Sequence, residues 1–250
     1  MIADHLRGCL KGAAIRAFGE GPWPPVEVFR ERDANRADFA THWPMRLARP
    51  LGQSPGAIAR ALVAALPPDS AIALAEPASG YVNVRVADAW LAERLADRLE
   101  AGAARLMAPS APSPFAASGP LKEASERADD HDEPESLGDP RFVVPYTRAR
   151  LASLARLAET EGLPGWRRGD ALDLTDPLLR DLVLRLLDGE PTGRRATDLC
   201  RAFHRFYAAR RVFGQPADIA AGRLAAIRGT FLALDPVMVN VPDAEGHPSP

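Results

Sequence analysis

Cysteine is almost missing from this 250-residue chain. Cys9 and Cys200 are too few for a disulfide framework, and by themselves they cannot close a zinc site. Lysine is as scarce, at Lys11 and Lys122, so nearly every cation is an arginine. No apolar run approaches the roughly 20 residues of a membrane-spanning helix, which argues against a membrane partner. The N-terminus, MIADHLRGCLKGAAIRAF, spreads charges through its apolar positions instead of holding a separate apolar core. It does not read as a secretory signal, and the expected location is the cytoplasm. GxxxxGK[ST], GxGxxG after a strand, HExxH and CxxC are all absent, and the five histidines stand far apart in sequence. Cys200 and His204 share a helix face at i, i+4 but border an apolar stripe with no third ligand in sight. The expectation is therefore a protein that is not an enzyme, with no cofactor, no metal and no small-molecule substrate.

Net charge is also small, at −2, which on its face argues against a nucleic-acid partner. Its distribution changes that reading. Residues 1–107 carry +1, residues 108–141 carry −5 and residues 142–250 carry +2. The acidic stretch is rich in Pro, Ser and Ala and has no period of 2 or 3.6, so it is expected to be a flexible linker between two folded modules. The 46% apolar and 26% charged residues are ordinary for globular domains.

The first module, residues 1–107, reads as α+β. Leu6, Leu10, Ala14 and Phe18 mark a helix that stops at Gly19. Val26–Arg30 alternates weakly, Thr41–Leu47 reads as a helix with Pro44 in its first turn, and Ser54-Pro55 opens another helix. Ile72–Ala75 and Tyr81–Val86 are strands joined through Ser79 and Gly80, and Asp88 starts a helix through Trp90 and Leu99. A small antiparallel sheet with helices is expected. The second module, residues 142–250, shows four helical stretches, near 146–161, 177–187, 196–211 and 218–234, and an all-α bundle is their natural packing. On the third of these, Leu199, Phe203, Phe206 and Tyr207 lie on one face, while Arg201 and Arg205 lie opposite with Arg194 two turns earlier. Such an arginine stripe suits phosphate contacts and stacking on unpaired bases, or it is simply a solvated face.

Several stretches are more specific. Residues 36–48, RADFATHWPMRLA, resemble the GDFATN-x-AM-x-LA signature of the N-terminal additional domain of arginyl-tRNA synthetases. Residues 51–59, LGQSPGAIA, and 79–86, SGYVNVRV, are similar to that family's LGKNPREIA and PGFINFRL segments. In the second module Tyr146, Ala149, Arg150 and Ser153 resemble the start of the DALR anticodon-binding domain. Residues 198–207, DLCRAFHRFY, resemble its ELAxAFNRFY helix, and Ala221–Arg228 its closing helix. The order matches the family throughout. Departures include His42 and His204 where the family has asparagine.

In the synthetases a catalytic domain with HxGH-type and KMSKS-type motifs separates these modules. Here neither motif occurs, and the 108–141 segment stands in that place. The resemblance thus implies a non-catalytic, synthetase-derived protein that binds tRNA, with an arginine tRNA as the candidate, and presents it to a tRNA-dependent or tRNA-modifying enzyme. It implies an elbow-side surface of His42, Tyr81, Asn83 and Arg85. It implies an anticodon-side surface of Tyr146, Arg150, Arg194, Arg201, Arg205 and Arg228. Tyr146 has buried core as its rival reading. The alternative for the whole chain is a protein–protein adaptor that kept the fold and lost the RNA.

Overall fold

A computed structural model describes residues 1–31, 33, 36–106, 140–189 and 191–239. The acidic segment expected to be a linker therefore falls almost wholly outside the described residues. Those residues form, in chain order, α1 (Ile2–Phe18), β1 (Phe29–Arg30), β2 (Phe39–Thr41), α2 (Trp43–Leu51), α3 (Pro55–Ala65), β3 (Ile72–Ala78), β4 (Tyr81–Val86), α4 (Asp88–Leu106), α5 (Pro140–Thr160), α6 (Pro177–Leu187), α7 (Arg194–Ala209) and α8 (Ala217–Val239). They divide into two compact units, Met1–Arg94 with Leu174–Gly189, and Leu95–Asp173 with the residues after Gly189.

The first unit is an antiparallel sheet in the order β1-β2-β4-β3, with helices packed on it. β4 is central. Val82, Val84 and Val86 alternate into the core, where they join Phe39 of β2 and Leu6, Leu10, Leu47, Ile58 and Leu62 of the helices. α3 begins as the sequence predicts: the Ser54 hydroxyl accepts the Ala57 N–H at 3.3 Å, and Pro55 takes the first turn, where no N–H is needed. β3 and β4 join through Ser79 and Gly80, both at positive φ (45° and 93°), which is the geometry of a tight two-residue hairpin.

β2 was not legible as a strand. Thr41, expected to open a helix, instead ends β2, and its Oγ1 accepts the Trp43 N–H at 3.1 Å to start α2 two residues later. The weak alternation at 26–30 condenses to the two residues of β1.

Of the four helices read after the acidic segment, α6 lies in the first unit. Arg180 holds it there and is 4% exposed. Its Nε and Nη2 donate to the two oxygens of Asp38 at 2.8 and 2.7 Å, Nη2 donates to the Val86 carbonyl at 2.6 Å, and Nη1 meets Asp88. Asp38 in turn accepts the Val86 N–H at 2.7 Å, so one buried carboxylate joins the β2 entry, the end of β4 and α6. Burial disfavours the Arg180 charge, but Asp38 and then Asp88 more than offset it, raising the guanidinium above its usual range. A second arginine, Arg30 of β1, donates to Asp181 of α6 at 2.8 Å.

The second unit is helical: α5, α7 and α8 pack on one another around Leu151, Leu154, Ala158, Leu199, Phe203, Phe206, Leu224, Ile227 and Phe231. The later turns of α4 belong to this unit. Gly102 lets them approach α8, since a Cβ there would lie 2.3 Å from a Leu232 methyl.

Candidate nucleic-acid interface

Two helices of the second unit bring aromatic rings and Arg150 to one surface. Phe142, Tyr146 and Arg150 recur at i, i+4 and i+8 along α5, so they share a face. α7 brings His204 and Tyr207 to that face, over the buried Phe203. The Tyr146 ring stacks against Phe142 at 5.3 Å (18°) and against His204 at 5.5 Å (24°). Phe203 and Tyr207 stack at 5.8 Å, and the Arg150 guanidinium lies over the Tyr207 ring at 5.2 Å. Tyr146 is 45% exposed, so the buried-core reading of this residue does not hold. A half-open row of rings capped by a guanidinium is a surface on which unpaired bases can stack.

His204 is set in place from beneath. The buried Thr147 hydroxyl donates to the Val143 carbonyl at 2.6 Å, so it accepts from the His204 Nε2–H at 2.8 Å. Burial, and secondarily the nearby Arg150 charge, hold the imidazole below its ordinary value of 6.5. The ring is therefore neutral at pH 7. Cys200, one turn earlier, is fully buried, and burial pushes its thiol up to about 11. It is a core side chain rather than a reactive one.

The arginines of α7 stand apart from that core. Arg201 and Arg205 are exposed one turn apart, and Arg194 is 93% exposed. Asp198 lies 3.7 Å from Arg201 and 4.0 Å from Arg194 and offsets part of the positive charge of the stripe. Arg228 is half-buried on α8, beside Trp166, Glu159 and Phe231, in a cleft of about 390 Å³. It does not form part of the stacked row.

The elbow-side residues are less open. Tyr81, Asn83 and Arg85 share the face of β4 opposite its three valines, as the alternation predicts, but only Tyr81 and Arg85 are half-exposed. Asn83 is 5% exposed, because β4 has a strand on both sides and Asn83 lies between Ala40 and Glu76. His42 caps α2, with Nε2 3.4 Å from Glu27 and its ring 5.7 Å from Phe29. Phe142 and Tyr207 were missed as site residues. The i, i+4 spacing of Phe142 to Tyr146 was the available signal.

Residues 2–86 match the arginyl tRNA synthetase N terminal domain. That match covers the sheet, α1–α3 and the Asp38-Phe39 pair on which the sheet closes. The N-terminal part of this chain is arginyl-tRNA synthetase-related. The chain is 39% identical over 96 residues to the arginine–tRNA ligase of Alcanivorax borkumensis, a match covering 36% of this chain and 16% of that enzyme. It is 41% identical over 100 residues to the arginine–tRNA ligase of Ectopseudomonas mendocina and 34% identical over the same length to that of Stutzerimonas stutzeri. Each of these two matches covers 38% of this chain and 17% of the relative. The chain thus spans about one sixth of the length of these synthetases. Arg180, the residue that completes the Asp38 network of the synthetase-type domain, lies outside the matched residues.

Proposed function

We propose that this is a non-catalytic tRNA-binding protein of synthetase descent that grips tRNA and presents it to a partner enzyme in the cytoplasm. The observation that carries the reading is the stacked row Phe142–Tyr146–His204 with Arg150 over Tyr207, in the same unit as the exposed arginines of α7. Partly exposed rings with a guanidinium among them suit the unpaired bases and phosphates of an anticodon loop, and a DALR-type bundle is the module that would use them. The synthetase-type domain supplies the elbow-side contact through Tyr81, Arg85 and His42. The sequence between the two modules holds neither an HxGH-type nor a KMSKS-type motif, which supports a role in binding rather than aminoacylation.

The test is fluorescence anisotropy with bulk tRNA across a salt series. Affinity should fall as salt rises, because arginine–phosphate contacts release counterions. Arg201→Ala with Arg205→Ala should weaken binding and flatten the salt slope by about one contact for each arginine lost. Tyr146→Ala should weaken binding by roughly one stacked base, about 1–3 kcal/mol, with little change in that slope. An absence of salt-sensitive binding at low ionic strength would sink the proposal.

A further inference from the structure

Three side chains of the first unit, unused by any tRNA contact, meet at one point. His5 and Cys9 stand four residues apart on α1 and so share a face. Asp69 approaches them from the segment between α3 and β3. His5 Nε2 lies 3.0 Å from both Asp69 carboxylate oxygens, and Cys9 Sγ lies 3.5 Å from Oδ2. Among the described residues this is the one group of three or more His, Cys, Asp or Glu side chains whose donor atoms all fall within 4.8 Å of one another. From these positions we propose that His5, Cys9 and Asp69 bind a zinc ion through three protein ligands, with the fourth position open to water.

The two spacings to Asp69 are close to those of that ion, and His5 and Cys9, within 4.8 Å of each other, close on it when it binds. Tetrahedral zinc with Zn–N and Zn–O of about 2.0 Å and Zn–S of about 2.3 Å sets neighbouring donor atoms roughly 3.3–3.5 Å apart. The Cys9–Asp69 separation already has that value, and His5 and Asp69 need to part by a few tenths of an ångström. Thiolate with imidazole selects zinc over magnesium or calcium, which want oxygen cages. The ligands are also held from behind. The Ala71 N–H donates to Asp69 Oδ1 at 2.8 Å, and the His5 ring lies 5.9 Å from Trp90. His5 is 40% exposed and Asp69 19%, so an ion reaches the site from solvent. On binding, the Cys9 thiol gives up its proton to water and the zinc–sulfur bond forms. The bond set clips α1 to a segment some sixty residues away, so its affinity adds to the stability of the first unit.

The experiment titrates the purified full chain with Co²⁺ as a spectroscopic stand-in and then with Zn²⁺. One equivalent of Co²⁺ should bind with a thiolate-to-metal charge-transfer band in the near ultraviolet, and Zn²⁺ should abolish the band. Cys9→Ser should remove the band and weaken Zn²⁺ binding at least tenfold, and His5→Gln should weaken it similarly. Cys200→Ser should change neither. Asp69 also accepts the Ala71 N–H, so an Asp69 variant would lose a backbone contact along with a ligand. Circular dichroism establishes that Cys9→Ser and His5→Gln stay folded. Metal bound without the charge-transfer band, binding unaltered by Cys9→Ser, or no saturable binding at micromolar Zn²⁺ would each overturn the site. None of these outcomes depends on whether the chain binds tRNA.

Discussion

Arg180→Met probes how the first unit is assembled. The guanidinium makes three hydrogen bonds of 2.6–2.8 Å to Asp38 and to the Val86 carbonyl, all inside the unit. Its removal leaves the Asp38 carboxylate, 3% exposed, with the Val86 N–H at 2.7 Å. Taking one partner from a buried ion pair costs about 3–5 kcal/mol, most of it from the desolvated charge left behind. The Asp88 arm adds little, because that side chain is 57% exposed. Trp23, Trp43 and Trp90 all lie in the first unit and Trp166 in the second, so fluorescence in a Trp166→Phe background reports the first unit alone. Urea unfolding should show a lower midpoint with a nearly unchanged slope. Adding Asp38→Leu to Arg180→Met should recover much of the loss, because the stranded charge goes with it. A loss under about 1 kcal/mol, the scale of an exposed pair, or strict additivity of the two substitutions would refute the reasoning.

Two further outcomes are expected. Gly80→Ala forces a side chain onto φ 93° and sets its Cβ 2.9 Å from Pro55 Cβ and 3.3 Å from the Met45 methyl. It should destabilise the first unit by about 1–3 kcal/mol in the same urea assay, and a neutral result would contradict the hairpin geometry. The second unit should lose stability as pH falls below about 6.5: the unfolded chain protonates His204 first, because burial and Arg150 hold the folded ring below that value. Thermal melts across that range should be steeper in pH for wild type than for His204→Gln, and equal slopes would count against the neutral ring.

Much of the local structure was legible because it is set by short-range chemistry. α1 follows from apolar residues at helical spacing and a glycine stop, and α3 from Ser54-Pro55. The β3–β4 hairpin follows from two residues that tolerate positive φ. The arginine face of α7 was read correctly as exposed, since the opposite face carries Leu199, Phe203 and Phe206. β2 escaped because all three of its residues are buried, which erases the alternation that marks a strand.

Periodicity also determined that α6 is a helix with an apolar face, but it said nothing of what that face meets. Nothing in the sequence pairs Arg180, set among leucines, and only the arrival of Asp38 from 142 residues away makes it a buried anchor. The meeting of His5 and Cys9 with Asp69, and of Tyr146 with His204, is of the same kind. The sequence by itself determined which residues have helical or strand order and which are polar. The tertiary structure decided which polar groups become partners, because an ion pair or a stacked row depends on distances of a few ångströms between segments far apart along the chain.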